Sequence, residues 1–255
     1  MTTLQSKLTF SQKHPIWTVV IIQLLLLLAM TAAGAVATIR ELSDKSPVWI
    51  SFIPIAIVLM LYFTLKRKWS LLGFRSLSTI PSGNWIYYAP LLLILVINGI
   101  KGFREISVSE VLVLLLFTLL VGFVEESLYR GLILKTLLAK GVTTAVITSS
   151  VLFGLTHILN SLSGQDVGQT ILQIVYALLM GVVLALLVVK DNNIIPVILF
   201  HFLHNLLQYV GNDNSSAFLG YDLLILALLA GHAVWLIFSL RKSTPSAYAA
   251  SSSIH

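Results

Sequence analysis

Long apolar segments constrain this chain more than any other feature of its sequence. Eight of them approach the roughly 20 residues that an α-helix needs to cross the hydrocarbon core of a bilayer. Only 10% of the 255 residues are charged, whereas soluble domains carry roughly 25%. We therefore predict an all-α polytopic membrane protein with about eight transmembrane helices. The predicted spans are 16–38, 48–65, 85–97, 109–138, 142–159, 170–189, 194–210 and 218–240.

The basic residues of the loops are unevenly divided between the two sides of this arrangement. With both termini in the cytosol, 12 of the 16 Lys and Arg residues lie on the cytosolic side and 4 on the other. Cytoplasmic loops carry an excess of Lys and Arg, so the count predicts an N-in/C-in, multi-pass protein of the cell membrane. The basic residues are scattered over several loops and form no stripe, so membrane lipids, and no nucleic acid, are the expected partners.

Three features describe the chain outside the spans. The absence of cysteine excludes disulfides, thiolate zinc sites and cysteine-protease chemistry. The segment 66–75 mixes Lys and Arg with Trp69 and leucines, which is typical of a segment on the surface of an anionic leaflet. Residues 243–255 are rich in Ser and Ala and predict a disordered tail. We predict a single membrane domain over residues 1–255.

The fourth predicted span contains two carboxylates and a guanidinium within apolar sequence: Glu125, Glu126 and Arg130. A charged group at membrane depth costs at least about 2.5–3.5 kcal/mol on insertion scales, so this cluster requires a function or a partner. Glu126 and Arg130 are four residues apart with the acid first, the favourable order for a helical ion pair. One residue turns a helix by about 100°, so Glu125 leaves that row and its carboxylate is free for chemistry.

Two further spans carry polar side chains at helical spacing. The fifth ends with Phe153 and His157, and the seventh contains His201 and Asn205. Glu125 and His157 are each 16 residues from Gly141, which predicts that they lie at one depth, about 24 Å along their helices. His201 is eight residues from Asn193, about 12 Å. Reaching the same depth therefore requires a tilted helix or a turn that dips into the protein.

A carboxylate and imidazoles in a wet intramembrane cavity are suited to hydrolysis. Glu125 can accept a proton from water while His157 orients that water or relays the proton. His201 and Asn205 can donate hydrogen bonds to the oxyanion that develops on an amide carbonyl. Alternatively, Glu125, His157 and His201 could hold a zinc ion. The sequence contains no His-Glu-x-x-His motif, and no Gly-x-Ser-Gly or Gly-x-Gly-Asp signature of other intramembrane proteases.

At these residues the chain resembles the CAAX protease and bacteriocin-processing family (CPBP, or Abi), which includes the type II CAAX prenyl endopeptidases. The family motifs Glu-Glu-x-x-x-Arg, Phe-x-x-x-His and His-x-x-x-Asn occur in order, within a predicted catalytic core of about 109–210. The resemblance implies an eight-helix bundle whose site opens to the cytosol. The three motifs stand in this sequence at Glu125-Glu126/Arg130, Phe153/His157 and His201/Asn205.

The same resemblance implies roles for the motif residues. Glu125 would be the general base, His157 its partner, and His201 with Asn205 the oxyanion hole, with no catalytic metal or other cofactor. The implied substrate is a membrane-associated or prenylated peptide, in CAAX-type processing or in bacteriocin maturation and self-immunity. Glu126 and Arg130 are interpreted as a structural ion pair.

Other interpretations of the same residues remain open. Phe153 is expected to pack beneath His157, His204 to make a helix contact, and Gly181 to allow close helix packing. A proton-coupled transporter would use the intramembrane carboxylate and histidines as a relay, and would show inverted repeats, which are not evident in the sequence. A non-catalytic membrane scaffold or immunity protein would not need a complete catalytic set, and here the set is complete.

Overall fold

The computed structural model describes residues 9–162, 165–212 and 215–251. Three 3-10 segments, Leu77–Thr79, Ser82–Tyr88 and Leu138–Lys140, and a π-helical segment, Ser127–Leu134, accompany the α-helices. The α-helices are α1 (Phe10–Lys13), α2 (Pro15–Ile39), α3 (Ser46–Leu65), α4 (Ala89–Ile100), α5 (Val108–Glu126), α6 (Lys135–Leu137), α7 (Val142–Thr156), α8 (Ile158–Leu162), α9 (Val167–Asp191), α10 (Ile195–Val210) and α11 (Ser215–Ser251).

Among the described residues, seven helical stretches are long and apolar enough to cross a membrane, and α10 is a shorter apolar helix. Together they match the eight predicted spans one for one, so the prediction of an all-α, multi-pass membrane protein is confirmed. The N-in/C-in orientation and the single-domain division stay predictions. The disordered tail also stays a prediction: α11 ends at Ser251, and residues 252–255 lie outside the described residues.

Proline and serine mark where several spans begin. Pro15, Pro47, Pro90 and Pro196 stand in the first turns of α2, α3, α4 and α10. Proline lacks an N–H, and the first turn of a helix has no acceptor for one, so the residue begins a helix without losing a hydrogen bond. At the start of α5 the Ser107 hydroxyl caps the helix by accepting a hydrogen bond from the Glu110 N–H.

Two glycines bring helices of the core into backbone contact. A Cβ on Gly154 of α7 would lie 3.3 Å from the Ile174 carbonyl oxygen of α9. A Cβ on Gly122 of α5 would lie 3.2 Å from the Phe202 nitrogen of α10. Small residues at such crossings allow the close approach by which membrane helices pack. These two crossings join α7 to α9 and α5 to α10, and motif residues lie on α5, α7 and α10.

The turn between α9 and α10 lies inside the protein. Asn193 and Ile194 are both fully buried. The Asn193 side-chain amide donates to the carbonyls of Arg75 and Ser76, at 3.2 and 3.0 Å, and the Ile194 N–H donates to the Gly73 carbonyl at 2.8 Å. The segment 73–76 therefore covers the turn, and α10 begins below the surface. The dipping turn that the position of His201 required is present.

Candidate active site

One cavity collects the residues of all three motifs. It has a volume of about 460 Å³ and is bordered by α2, α3, α5, α7, α9, α10 and α11. We call it the polar cavity, because carboxylate, imidazole and carboxamide side chains line it. The four predicted catalytic residues and Phe153 are all in its wall: Glu125, Phe153, His157, His201 and Asn205.

The predicted ion pair between Glu126 and Arg130 is present. Arg130 Nη1 lies 3.0 Å from Glu126 Oε1, and neither side chain has any exposed surface. The pair sits where α5 gives way to the π-helical segment Ser127–Leu134, a change that the sequence did not predict. π-Helical turns are rare and often occur at functional sites. Glu126 Oε1 accepts a hydrogen bond from Arg130 Nη1.

His201 lies between the two carboxylates of the motif. Its Nδ1 is 2.7 Å from Glu126 Oε1, and its Nε2 is 3.5 Å from Glu125 Oε2. A carboxylate paired with a guanidinium can only accept hydrogen bonds. His201 Nδ1 therefore carries a hydrogen and donates a hydrogen bond to Glu126. Nε2 therefore faces Glu125. The sequence paired Glu125 with His157 and assigned His201 to the oxyanion; the side-chain contact to Glu125 in this structure comes from His201.

His157 stands at a break in its span. α7 ends at Thr156, and α8 restarts the helix at Ile158. The His157 Nδ1 lies 3.0 Å from the Phe153 carbonyl oxygen, which can only accept, so Nδ1–H is the donor. In the neutral imidazole Nε2 then carries a lone pair. His157 also lines the polar cavity, so it can offer a proton acceptor there.

The ring of Phe153 joins the motif residues to one another. Both imidazoles meet it edge-on, with centroid distances of 5.2 Å for His157 and 5.9 Å for His201. The Arg130 guanidinium carbon lies 4.3 Å from the same centroid, within the range of a cation–π interaction. The packing expected between Phe153 and His157 is confirmed. The contact with Arg130 is an additional role that helical spacing did not reveal.

Gly181 of α9 makes room for the buried guanidinium. A Cβ at this position would lie 3.1 Å from Cα of Ser150 and 3.4 Å from Nη2 of Arg130. The predicted role of Gly181 in close helix packing is confirmed. The structure adds that this packing bounds the space occupied by Arg130.

His204 has its own partner outside the motif set. Its Nε2 lies 2.6 Å from the Tyr176 hydroxyl, and the two rings stack with centroids 5.2 Å apart. The expectation that His204 makes a helix contact is confirmed.

A second polar network beside the cavity was missed by the sequence analysis. The Tyr129 hydroxyl lies 2.5 Å from the Thr156 hydroxyl, and Gln23 Nε2 donates to that same oxygen at 3.1 Å. Gln23 is a polar residue within the otherwise apolar span 16–38, and that position was the available signal. The network ties α2 to α7, and Thr156 also lines the polar cavity.

Among residues 9–162, 165–212 and 215–251, no group of three or more His, Cys, Asp and Glu side chains is arranged to hold a metal ion. This finding concerns only the arrangement of the side chains. The prediction of a reaction without a cofactor therefore stays a prediction.

Comparison with protein families gives a match across this site. Residues 107–207 match the family described as type II CAAX prenyl endopeptidase Rce1-like, close to the predicted core of 109–210. Searches of curated proteins and of solved structures gave no significant match. Over residues 107–207 the chain is similar to the Rce1-like type II CAAX prenyl endopeptidases, a family of proteases, and this match confirms the resemblance drawn from the three motifs.

Proposed function

We propose that this protein is an intramembrane endopeptidase that hydrolyses a peptide bond with water activated by Glu125. The observation that carries the proposal is the sharing of one cavity by Glu125, His157, His201 and Asn205, next to a buried Glu126–Arg130 pair. The protease family matched over residues 107–207 supports the same reaction class. We propose a membrane-associated or lipidated peptide as substrate, in CAAX-type processing or in bacteriocin maturation and self-immunity.

The reaction begins with a water held in the polar cavity. Glu125 takes one proton from it as the water oxygen bonds to the carbonyl carbon of the peptide. The carbonyl oxygen becomes an oxyanion, and the side-chain amide of Asn205 donates a hydrogen bond to it. The carbon–nitrogen bond then breaks, and the departing nitrogen takes up the proton held by Glu125. As the oxyanion reverts to a carbonyl, the products are a carboxylic acid and an amine, which together contain the elements of the water consumed.

The two histidines have different parts in this scheme. His201 is fixed by Glu126 and faces Glu125 through Nε2, so we propose that it orients the base and adjusts its charge. The hydrogen bond of His157 to the Phe153 carbonyl uses Nδ1 and leaves Nε2 for other contacts. We propose that His157 positions the water or relays its proton. This assignment revises the pairing implied by the resemblance, since His201 now accompanies the base.

A comparison of membrane peptides tests the proposal. Cells that produce the wild-type protein should contain cleavage products that are missing from cells with Glu125→Gln at equal protein level. Identical peptide profiles, with both proteins folded, would contradict an endopeptidase and support a scaffold. Loss of a Glu125-dependent proton flux without any change in peptides would instead support a transporter.

A chelator experiment tests the proposal that no metal takes part. Because water activation is assigned to Glu125, purified protein should retain its cleavage rate on a verified substrate after dialysis against a chelator. Loss of activity that added zinc restores would contradict this, and would make Glu125, His157 and His201 the expected ligands.

A further inference from the structure

The polar cavity extends from the motif residues toward one side of the helix bundle. Its wall follows α10 from His201 to Tyr209, one residue before the end of that helix. On α9 it runs from Met180 back to Gln169, near the start of the helix, which is about 17 Å along the axis at 1.5 Å per residue. The cavity therefore leads from Glu125 to the side that carries the connections at residues 40–45, 101–107, 165–166 and 211–212. We call this side the mouth side.

The opposite side is closed beneath the motif residues. There the segment 73–76 is hydrogen-bonded across the buried α9–α10 turn. Asp191, at the end of α9, accepts hydrogen bonds from Tyr88 at 2.9 Å and from Asn84 at 2.5 Å. The polar cavity has none of these residues in its wall. A peptide that approached through this turn would have to break the contacts that hold α10 in place.

The two sides differ in net charge when the charged residues are assigned to them by their positions in the sequence. The mouth side has four basic residues, Arg40, Lys45, Lys101 and Arg104, and seven acidic ones, a net charge of −3. The closed side has eleven basic residues and one acidic residue, Asp191, a net charge of +10. The seven acidic residues are Glu41, Asp44, Glu105, Glu110, Asp166, Asp213 and Asp222. Since cytoplasmic loops carry the excess of Lys and Arg, the closed side faces the cytosol.

Carboxamide side chains line the outer part of the polar cavity. Asn160 Nδ2 donates to Gln173 Oε1 at 2.8 Å, and Gln208 Nε2 donates to Asn98 Oδ1 at 3.3 Å. Asn160, Gln173 and Gln208 all line the cavity. A carboxamide has two donor hydrogens and an acceptor oxygen, and so matches both groups of a peptide backbone. These carboxamides can therefore hydrogen-bond to the backbone of an extended peptide.

We infer that the substrate reaches Glu125 from the extracytoplasmic side of the membrane, as an extended peptide segment held by the carboxamides of the mouth. The inference rests on the proposed peptidase function and specifies where its substrate is presented. It departs from the cytosolic opening that the resemblance implied. The loop charges place the mouth side outside the cytosol. A cavity that leads to the mouth side therefore cannot open to the cytosol.

Single cysteines in this cysteine-free chain provide the test. Gln169→Cys places a thiol on an exposed lining residue of the mouth, and Lys140→Cys places the matched control at an exposed turn on the closed side. A membrane-impermeant maleimide is applied to right-side-out and to inside-out vesicles that contain the full-length protein. We expect Gln169→Cys to be labelled more than tenfold faster in right-side-out vesicles, and Lys140→Cys more than tenfold faster in inside-out vesicles.

The opposite labelling pattern, or labelling of both thiols from the same side, would overturn the inference. Because labelling needs no substrate, this result is independent of the peptide comparison that tests the proposed function. A second measurement uses a verified substrate: attachment of a bulky maleimide to Gln169→Cys should slow cleavage more than tenfold relative to the same variant unlabelled. Unchanged cleavage would contradict the mouth as the route, whereas equal cleavage by Glu125→Gln would contradict the peptidase itself.

Discussion

Two cavities border the same stretch of chain, residues 125–132. Glu125 lines the polar cavity of about 460 Å³, while Leu128 and Leu132, one and two turns further on, line a cavity of about 710 Å³. We call the larger one the apolar cavity; its other walls come mainly from α2, α3 and the segment 68–72. Its described lining includes hydroxyls, one amide and the amines of Lys68 and Lys135, but neither a carboxylate nor an imidazole.

The difference teaches that volume does not identify the reactive site here. The larger cavity has more room for a ligand, yet among the described lining residues the carboxylate and imidazoles to which we assign the proposed hydrolysis line the smaller one. Both cavities border the stretch 125–132, yet they share no described lining residue. The predictions below test this separation, beginning with the largest expected effect.

Removal of the base should give the largest effect. Glu125→Gln is nearly isosteric but cannot accept the proton, so cleavage of a verified substrate should fall by about 10²–10⁴-fold. Its thermal unfolding midpoint should match that of the wild type. Glu110→Gln is the matched control, because Glu110 is on the same helix and is exposed enough for its pair with Arg104 to contribute little. Equal losses in the two variants would contradict a special role for Glu125.

The neighbouring carboxylate should matter mainly for stability. Glu126→Gln leaves the buried Arg130 without its counter-charge, which should lower the free energy of unfolding by about 3–5 kcal/mol. Denaturant titration of the purified protein in detergent measures this loss. The double variant Glu126→Gln/Arg130→Met removes both charges and should recover part of it. If adding Arg130→Met to Glu126→Gln lowered the free energy of unfolding further, as an unrelated second mutation would, the ion-pair explanation would be wrong.

A methyl group added at Gly181 should lower the free energy of unfolding by a smaller amount. Gly181→Ala puts a methyl group 3.1 Å from Ser150 and 3.4 Å from the Arg130 guanidinium, so we expect a destabilisation of about 1–3 kcal/mol. Gly34→Ala in α2 is the control, because a Cβ there has nothing within 4 Å. In a helix that change should be neutral or stabilise by about 0.4–1 kcal/mol. Equal unfolding midpoints for the two variants would contradict the close approach at Gly181.

Filling the apolar cavity should have the smallest effect on chemistry. Val58→Trp adds a large side chain to the wall of a cavity that Glu125 does not line, so kcat/KM for a verified substrate should stay within about twofold of the wild type. Ala177→Leu makes the matched change in the polar cavity, where Ala177 is a buried wall residue, and should raise KM or block cleavage. A larger loss from Val58→Trp than from Ala177→Leu would break the distinction between the cavities.

Much of the fold could be predicted because membrane spans are local in sequence. An apolar run of sufficient length must be helical in lipid wherever it packs, so the eight segments were identified without knowledge of their neighbours. The Glu126–Arg130 pair was predictable for a similar reason, since both residues are on one helix at a favourable spacing. The same reasoning placed Glu125 off that row, and Glu125 lines the cavity while Glu126 is buried.

The partner of Glu125 could not be predicted in this way. Counting residues from Gly141 brought His157 to the depth of Glu125, but depth along an axis does not define the rotation of one helix against another. His201 approaches Glu125 because α10 begins at a turn buried beneath residues 73–76 and lies against α5 at Gly122. Both contacts join residues distant in sequence, and no periodicity within one span contains them.

The sequence by itself determined the number of spans, the three motifs and the excess of basic charge on one side, because each depends on residue type and on neighbours within a turn or a loop. Tertiary structure decided which histidine contacts Glu125, how Phe153 packs against Arg130 and both imidazoles, and toward which side the cavity leads. The physical reason is that apolar helices in a bilayer are individually stable, but their relative rotation and tilt are set by side-chain packing between them.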